Sequence, residues 1–143
     1  MSVGIARSLR LLREGQDTHA PASVLKISAA RACRKLAPAP YSIAENLAHA
    51  YQWQRHWLAK LGVAERMPGS PIEWDWLPVA EAEWPEVRRG FLQGLDQAIE
   101  FAERVGHEEQ AEFVLNQILI HDAYHLGQCV LLKRLMAAQA RQS

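Results

Sequence analysis

Neither sign of charge prevails in this sequence. Its 143 residues carry 16 basic and 16 acidic side chains, intermixed, for a formal net charge of +0. Without a basic stripe or patch there is nothing to grip a phosphate backbone or an anionic lipid surface, so neither nucleic acid nor membrane is expected as a partner. Long apolar runs are missing too. None approaches the roughly 20 residues of a membrane span, and Arg7, Arg10 and Arg13 interrupt the N-terminal apolar residues where a secretory leader needs an unbroken core. Cysteine is scarce: Cys33 and Cys129 stand far apart, without a Cys-x-x-Cys pair, in patterns that suit small buried hydrophobes. These absences point to a reducing, cytoplasmic setting. No Ser-His-Asp order, phosphate loop or nicotinamide fingerprint occurs either.

What the chain does have is helical period. With 49% hydrophobic residues it is long enough for one real core and too short for two, so residues 1-143 are expected to form a single domain. Ile5, Leu9 and Leu12 recur at spacings of four and three up to Gly15, which predicts a first helix over Val3 to Glu14. Pro21 then either opens a short second helix or continues the first with a kink, and Ser28 caps a further turn ending near Leu36. After Pro38-Ala39-Pro40, Ser42 with Glu45 three residues on reads as a capping box, opening a helix from Ile43 to Leu61 that Gly62 ends. One stripe of that helix is apolar. The stripe beside it collects Glu45, Asn46, His49, Gln52, Trp53 and His56, an odd set for a solvated face and a natural one beside a polar internal site. A connection of nearly twenty residues follows, containing Trp74 and Trp76, which either pin the crossover to the body of the protein or roof a pocket. A third helix starts over Glu81-Ala82-Glu83-Trp84-Pro85 and runs to Gly106. A fourth covers roughly Glu108 to Gln139.

That last helix contains the most informative stretch, His121-Asp122-Ala123-Tyr124-His125. A spacing of four puts both imidazoles on one face, where they can share a cation, with Val114, Ile118, Cys129 and Leu132 on the same side. His-Asp-x-x-His is one methylene short of the His-Glu-x-x-His of zinc proteases. After His125, however, only Leu126 to Ser143 remain, without His, Asp or Glu to supply a third ligand, which must therefore come from an earlier helix. Leu115, Leu119, Leu126, Val130, Leu131 and Leu135 lie outside the histidine face, an excess of apolar surface that fits a central helix or one that also meets a second subunit.

Two words of the chain, Ser42-Ile43-Ala44-Glu45-Asn46-Leu47-Ala48-His49 and His121-Asp122-Ala123-Tyr124-His125-Leu126-Gly127-Gln128, together with the order of helices and the long crossover, resemble the DinB-like family. These are metal-binding four-helix bundles that include damage-inducible proteins and thiol-dependent transferases. The resemblance spans nearly the whole chain. It implies an all-α four-helix bundle of up-down-down-up topology, with residues 62 to 80 crossing between two parallel middle helices, and a homodimer. It also implies His49, His121 and His125 as ligands of one divalent metal ion; a histidine-rich site accepts zinc, nickel, iron or manganese, with zinc or nickel foremost.

Three imidazoles leave such an ion an open position for water, a low-molecular-weight thiol or a substrate. Two classes of function follow. One is a metal-dependent thiol S-transferase or hydrolase acting on a small electrophile, in detoxification or stress response; the other is a non-catalytic metal-binding scaffold. Catalytic residues beyond the metal ligands are not identified. Glu45 is the cap acid, a carboxylate supporting His49 or a base, Gln128 a hydrogen-bonding residue on the His125 face, His56 a pocket or surface residue, and Cys129 core. Because only neutral imidazole binds metal, affinity is expected to fall below a pH of roughly 6.5.

Overall fold

The computed structural model describes residues 3–106 and 108–142, and the described residues form helices and turns with no strand. Helix α1 spans Val3–Glu14 and stops where expected. Gly15 takes φ 73°, and a Cβ there would lie 2.2 Å from the Ala20 backbone nitrogen, so the turn requires glycine on both counts. The alternatives left open at Pro21 resolve to a new short helix, α2 (Pro21–Val24), with proline in its first turn. Ser28 then accepts from the Arg31 N–H to open α3 (Ala29–Ala32), which stops short of Leu36.

Helix α4 runs Ile43–Lys60, opened by Ser42 Oγ accepting from the Glu45 N–H at 3.1 Å. Leu61 is its cap rather than its last residue, and Gly62 follows at φ 71°. The crossover is not structureless, since it contains α5 (Pro71–Trp74). A 3-10 turn at Glu81–Glu83 leads into α6 (Trp84–Val105), and α7 spans Glu109–Gln142, three residues beyond the expected C-terminal end.

The long helices α1, α4, α6 and α7 pack on one another. Arg10 and Arg13 of α1 pair with Glu103 and Asp96 of α6; Gln54 of α4 bonds to Phe91 O of α6 and Asp122 of α7. Two apolar clusters form between them. Ile43, Leu47, Phe91, Leu95, Leu126, Cys129 and Leu132 belong to one; Leu9, Trp57, Leu58, Ile99, Val114, Leu115 and Ile118 belong to the other. Of the buried polar side chains of the long helices, His49, Gln54, Asp122 and His125 fall on the turns of α4 and α7 where one cluster gives way to the next, and Asn46 lies one turn further into the first. The expected inner face of α7 is indeed inside, with Val114, Ile118, Cys129 and Leu132 all buried. Of the apolar excess, Leu115 and Leu126 are buried as well, while Leu131 and Leu135 stay exposed.

The α4 and α6 backbones approach closely because Gly94 has no side chain. A Cβ there would sit 1.7 Å from Gln54 Oε1, and Gln54 cannot swing aside without giving up its bonds to Phe91 O (3.2 Å) and Asp122 (2.8 Å). Alanine is favoured over glycine within a helix by roughly 1 kcal/mol, but here overpacking and broken buried hydrogen bonds outweigh that gain. Gly94→Ala should therefore lose about 1–3 kcal/mol, read from the midpoint of urea unfolding, and a gain in stability would contradict this packing.

Candidate metal centre

His49 of α4 meets His121 and His125 of α7, and the nitrogens they offer all lie within 4.8 Å of one another. Nε2 of His49 and Nε2 of His121 face each other at 3.2 Å. A tetrahedral ion that holds imidazole nitrogens at about 2.0–2.1 Å sets them about 3.3 Å apart, so this pair is already at ligand spacing. The His121 and His125 rings, one turn apart, meet edge to face with centroids 4.4 Å apart.

The neighbours of two of these rings decide which nitrogen is free. Asn46, one turn before His49, donates from Nδ2 to the His125 carbonyl (2.9 Å) and to Cys129 Sγ (3.3 Å). A carbonyl only accepts, which fixes the orientation of the Asn46 amide and leaves its Oδ1 to accept from His125 Nδ1–H at 2.7 Å. His125 therefore carries its proton on Nδ1 and a lone pair on Nε2. His49 is set the same way by Asp75, which accepts from His49 Nδ1. Nδ1 of His121 is buried without a hydrogen-bond partner.

Burial is the largest influence on the ring pKa values. It pushes His121 down to about 4, helped by the charges of His125 and His49 and opposed by Asp75. His125 is also pushed down to about 4, by burial first and His49 second. A histidine with a depressed pKa is neutral, and so able to bind metal, at every pH above that value. Protons thus compete at these two rings only as the pH falls toward 4, well below the ordinary histidine range near 6.5.

The two tryptophans of the crossover divide the two roles considered for them. Trp74 is buried and packs against Trp53 and His56 (centroids 5.2 and 6.0 Å), pinning the segment. Trp76 covers the site, stacked on His49 at 4.0 Å and on Tyr41 at 4.9 Å. Its φ of 54° is unusual for a bulky residue and is held by those stacked rings. Trp57 closes another side, edge-on to His121 at 5.0 Å.

Other residues singled out in the sequence separate clearly. Glu45 contributes its backbone N–H to the Ser42 cap of α4, and its carboxylate charge acts on Cys33; the carboxylate that supports His49 is Asp75. Gln128 acts on the proton affinities of both His125 and Tyr41, which places it beside the cluster as expected. His56 lies against Trp53 and Trp74, outside the group of three. Cys129 is a core thiol, pushed up to about 11 by burial. Asp122 is fully buried, bonded to Gln54, and its carboxyl is raised well above the ordinary range by desolvation. It turns away from the histidines, so the arrangement lacks a protease-like base between them.

A family model described as the DinB superfamily matches residues 11–129. The chain belongs to the DinB superfamily. Neither a curated protein nor a solved structure matches it. Among the described residues of this DinB-superfamily chain, the three histidines are the group that could hold a metal ion, and no helix is long and apolar enough to cross a membrane.

Sequence reasoning missed Asp75 and the role of Asn46. Asn46 carried a signal in its position one turn before His49 on the unusual stripe. Asp75 carried only the weak one of an acid between two tryptophans in a long connection. If these residues set the ring tautomers, Asp75→Asn and Asn46→Ala should each weaken metal binding by about 10–100-fold, measured at neutral pH by competition with a chromophoric chelator. Unchanged affinity in both would show that the rings are held without them.

Proposed function

We propose that His49, His121 and His125 bind one divalent ion, zinc or nickel foremost, through Nε2, and that the protein is a metal-dependent enzyme. The reaction class is thiol S-transfer or hydrolysis on a small electrophilic substrate, with a low-molecular-weight thiol as co-substrate in the first case, serving detoxification or stress response. The observation that carries this reading is the ligand count: three imidazoles converge, and no fourth His, Cys, Asp or Glu joins them among the described residues. An ion held by three protein ligands supplies a Lewis acid that activates a bound water or thiol. The chain's own contribution is orientation and shelter. Asp75 and Asn46 hold two rings with Nε2 inward, and Trp76 and Trp57 limit water around them. The depth of the site, with His49 at 8% and His125 at 4% exposure, favours a second reading in which the ion only ties α4 to α7 as a scaffold.

The architecture proposed with it is one domain over residues 1-143, a four-helix bundle of up-down-down-up order. Its support is the pairing of residues: Tyr51 and Gln54 of α4 meet Gly90 and Gly94 of α6 in ascending order, whereas Asn46 and Gln54 meet Cys129 and Asp122 of α7 in descending order. The two unpaired cysteines suit a cytoplasmic location.

Elemental analysis should find about one divalent ion per chain, lost in His49→Ala and His121→Ala. Chelation should abolish any activity found in a thiol and electrophile screen, while helical circular dichroism survives, because both apolar clusters remain. Retained metal in those variants would end the assignment, and outright unfolding on chelation would favour the scaffold.

A homodimer is proposed through α7. Phe113, Ile120, Tyr124, Leu131 and Leu135 are between 42% and 68% exposed and recur at spacings of seven and four, a continuous apolar row along one face. Sedimentation at micromolar concentration should give the mass of two chains, reduced to one by Ile120→Lys. A one-chain mass for the unaltered protein would rule it out.

A further inference from the structure

The last turns of α4 and the crossover enclose a cleft of about 530 Å³ that the histidine cluster does not use. Its apolar wall is Ala59, Met67 and Trp74; His56, Lys60 and Arg66 also line it, and no acidic side chain does. Met67 and Trp74 are each 8% exposed, so this wall is fixed by packing. Among the described residues neither Lys60 nor Arg66 makes an ion pair, and what sets them apart is that both line the same cleft. Glu73, the acid nearest the cleft in α5, is engaged with the Ser70 N–H at 2.5 Å. In a chain of zero net charge, two unpaired cations and an imidazole thus converge on one partly apolar cavity.

We propose that this cleft binds a small organic anion, a carboxylate or phosphate monoester carried on an apolar body, with Lys60 and Arg66 meeting the charge and Trp74 and Met67 meeting the body. The volume lies within the range of about 300–1,000 Å³ usual for small-molecule sites. An arginine fork beside a lysine suits the paired oxygens of either anion. Lys60 and Arg66 also act on the His56 ring, which burial, first, and these two cations push below its ordinary pKa, so the charges do face a common point. His56 is seven residues from His49, about 10 Å along the helix, and Trp53 lies against His56, Trp57 and Trp74. The cleft is therefore a site of its own, whose occupancy does not require an ion at the histidines.

Phenyl phosphate and benzoate are the probes, with benzyl alcohol as the neutral control, followed by tryptophan fluorescence and by NMR of the His56 ring. At least one anion should bind saturably and raise the His56 pKa, since a neighbouring negative charge favours the imidazolium; which anion does so distinguishes carboxylate from phosphate. The Lys60→Ala/Arg66→Ala protein, altered only at exposed positions, should bind about tenfold more weakly or worse. Lys60→Gln and Arg66→Gln taken singly provide the same comparison should the double variant lose helical circular dichroism. Binding should persist in His125→Ala. The proposal falls if neither anion saturates by about 10 mM, if benzyl alcohol binds equally, if removal of the cations changes nothing, or if binding is lost in His125→Ala, which would put the anion at the histidines instead.

Discussion

Two of the three imidazoles at the centre of this protein dispose of their Nδ1–H on an acceptor, and that requirement organises the site. Left without an acceptor, the group costs on the order of 1–3 kcal/mol. Asn46 accepts from His125, and Asp75 from His49. The energetic need and the chemical outcome are the same event: once Nδ1 is occupied, the lone pair at Nε2 has only the space between the helices to face. Asn46 does more than hold a ring. By donating to the His125 carbonyl and Cys129 Sγ it also joins α4 to α7 at one axial position, so the register that aligns the helices is the register that brings His49 to His121.

The surrounding core is arranged to tolerate this polar layer. Apolar clusters lie to either side of it along α4 and α7, and Gln54 spans the layer to reach both Asp122 and Phe91 O. Gly94 makes room for that bridge. The crossover serves the centre rather than merely connecting helices, because it carries both the carboxylate for His49 and the ring that covers it, two residues after Trp74 has anchored the segment. Charge follows a separate logic. Arg10 and Arg13 of α1 are paired with acids of α6, the two cations beside His56 face a cleft without an acid, and that cleft owes nothing to the buried layer except the tryptophan wall.

Much of the local structure was legible from residue types alone, since it depends on interactions within a few residues. Gly15 and Gly62 ended helices, Ser28 and Ser42 opened them, and the period of α7 identified which of its faces goes inside. The short spacing between His121 and His125 made their common face readable too, because helix geometry converts sequence distance directly into spatial distance. His49 entered the site through family likeness and the odd composition of its stripe. Neither could say how closely it would approach.

Tertiary structure decided everything that joins distant residues. Asp75 and Trp76 reach His49 only because the crossover folds back onto α4, and a loop has no period from which that path could be read. Glu45 was the nearer carboxylate in sequence and lost the role to Asp75, since a residue one turn away on a helix is held to that helix's own direction while a loop residue can approach from above. Asp122 resembled the acid of a metal-binding protease until packing turned it toward Gln54. The sequence by itself determined where the long helices begin, which faces are apolar and which histidines share one; the tertiary structure determined tautomer, support and cover. Local hydrogen bonding and periodicity act along the chain, whereas the satisfaction of a buried polar atom depends on whichever distant group the packed core brings within reach.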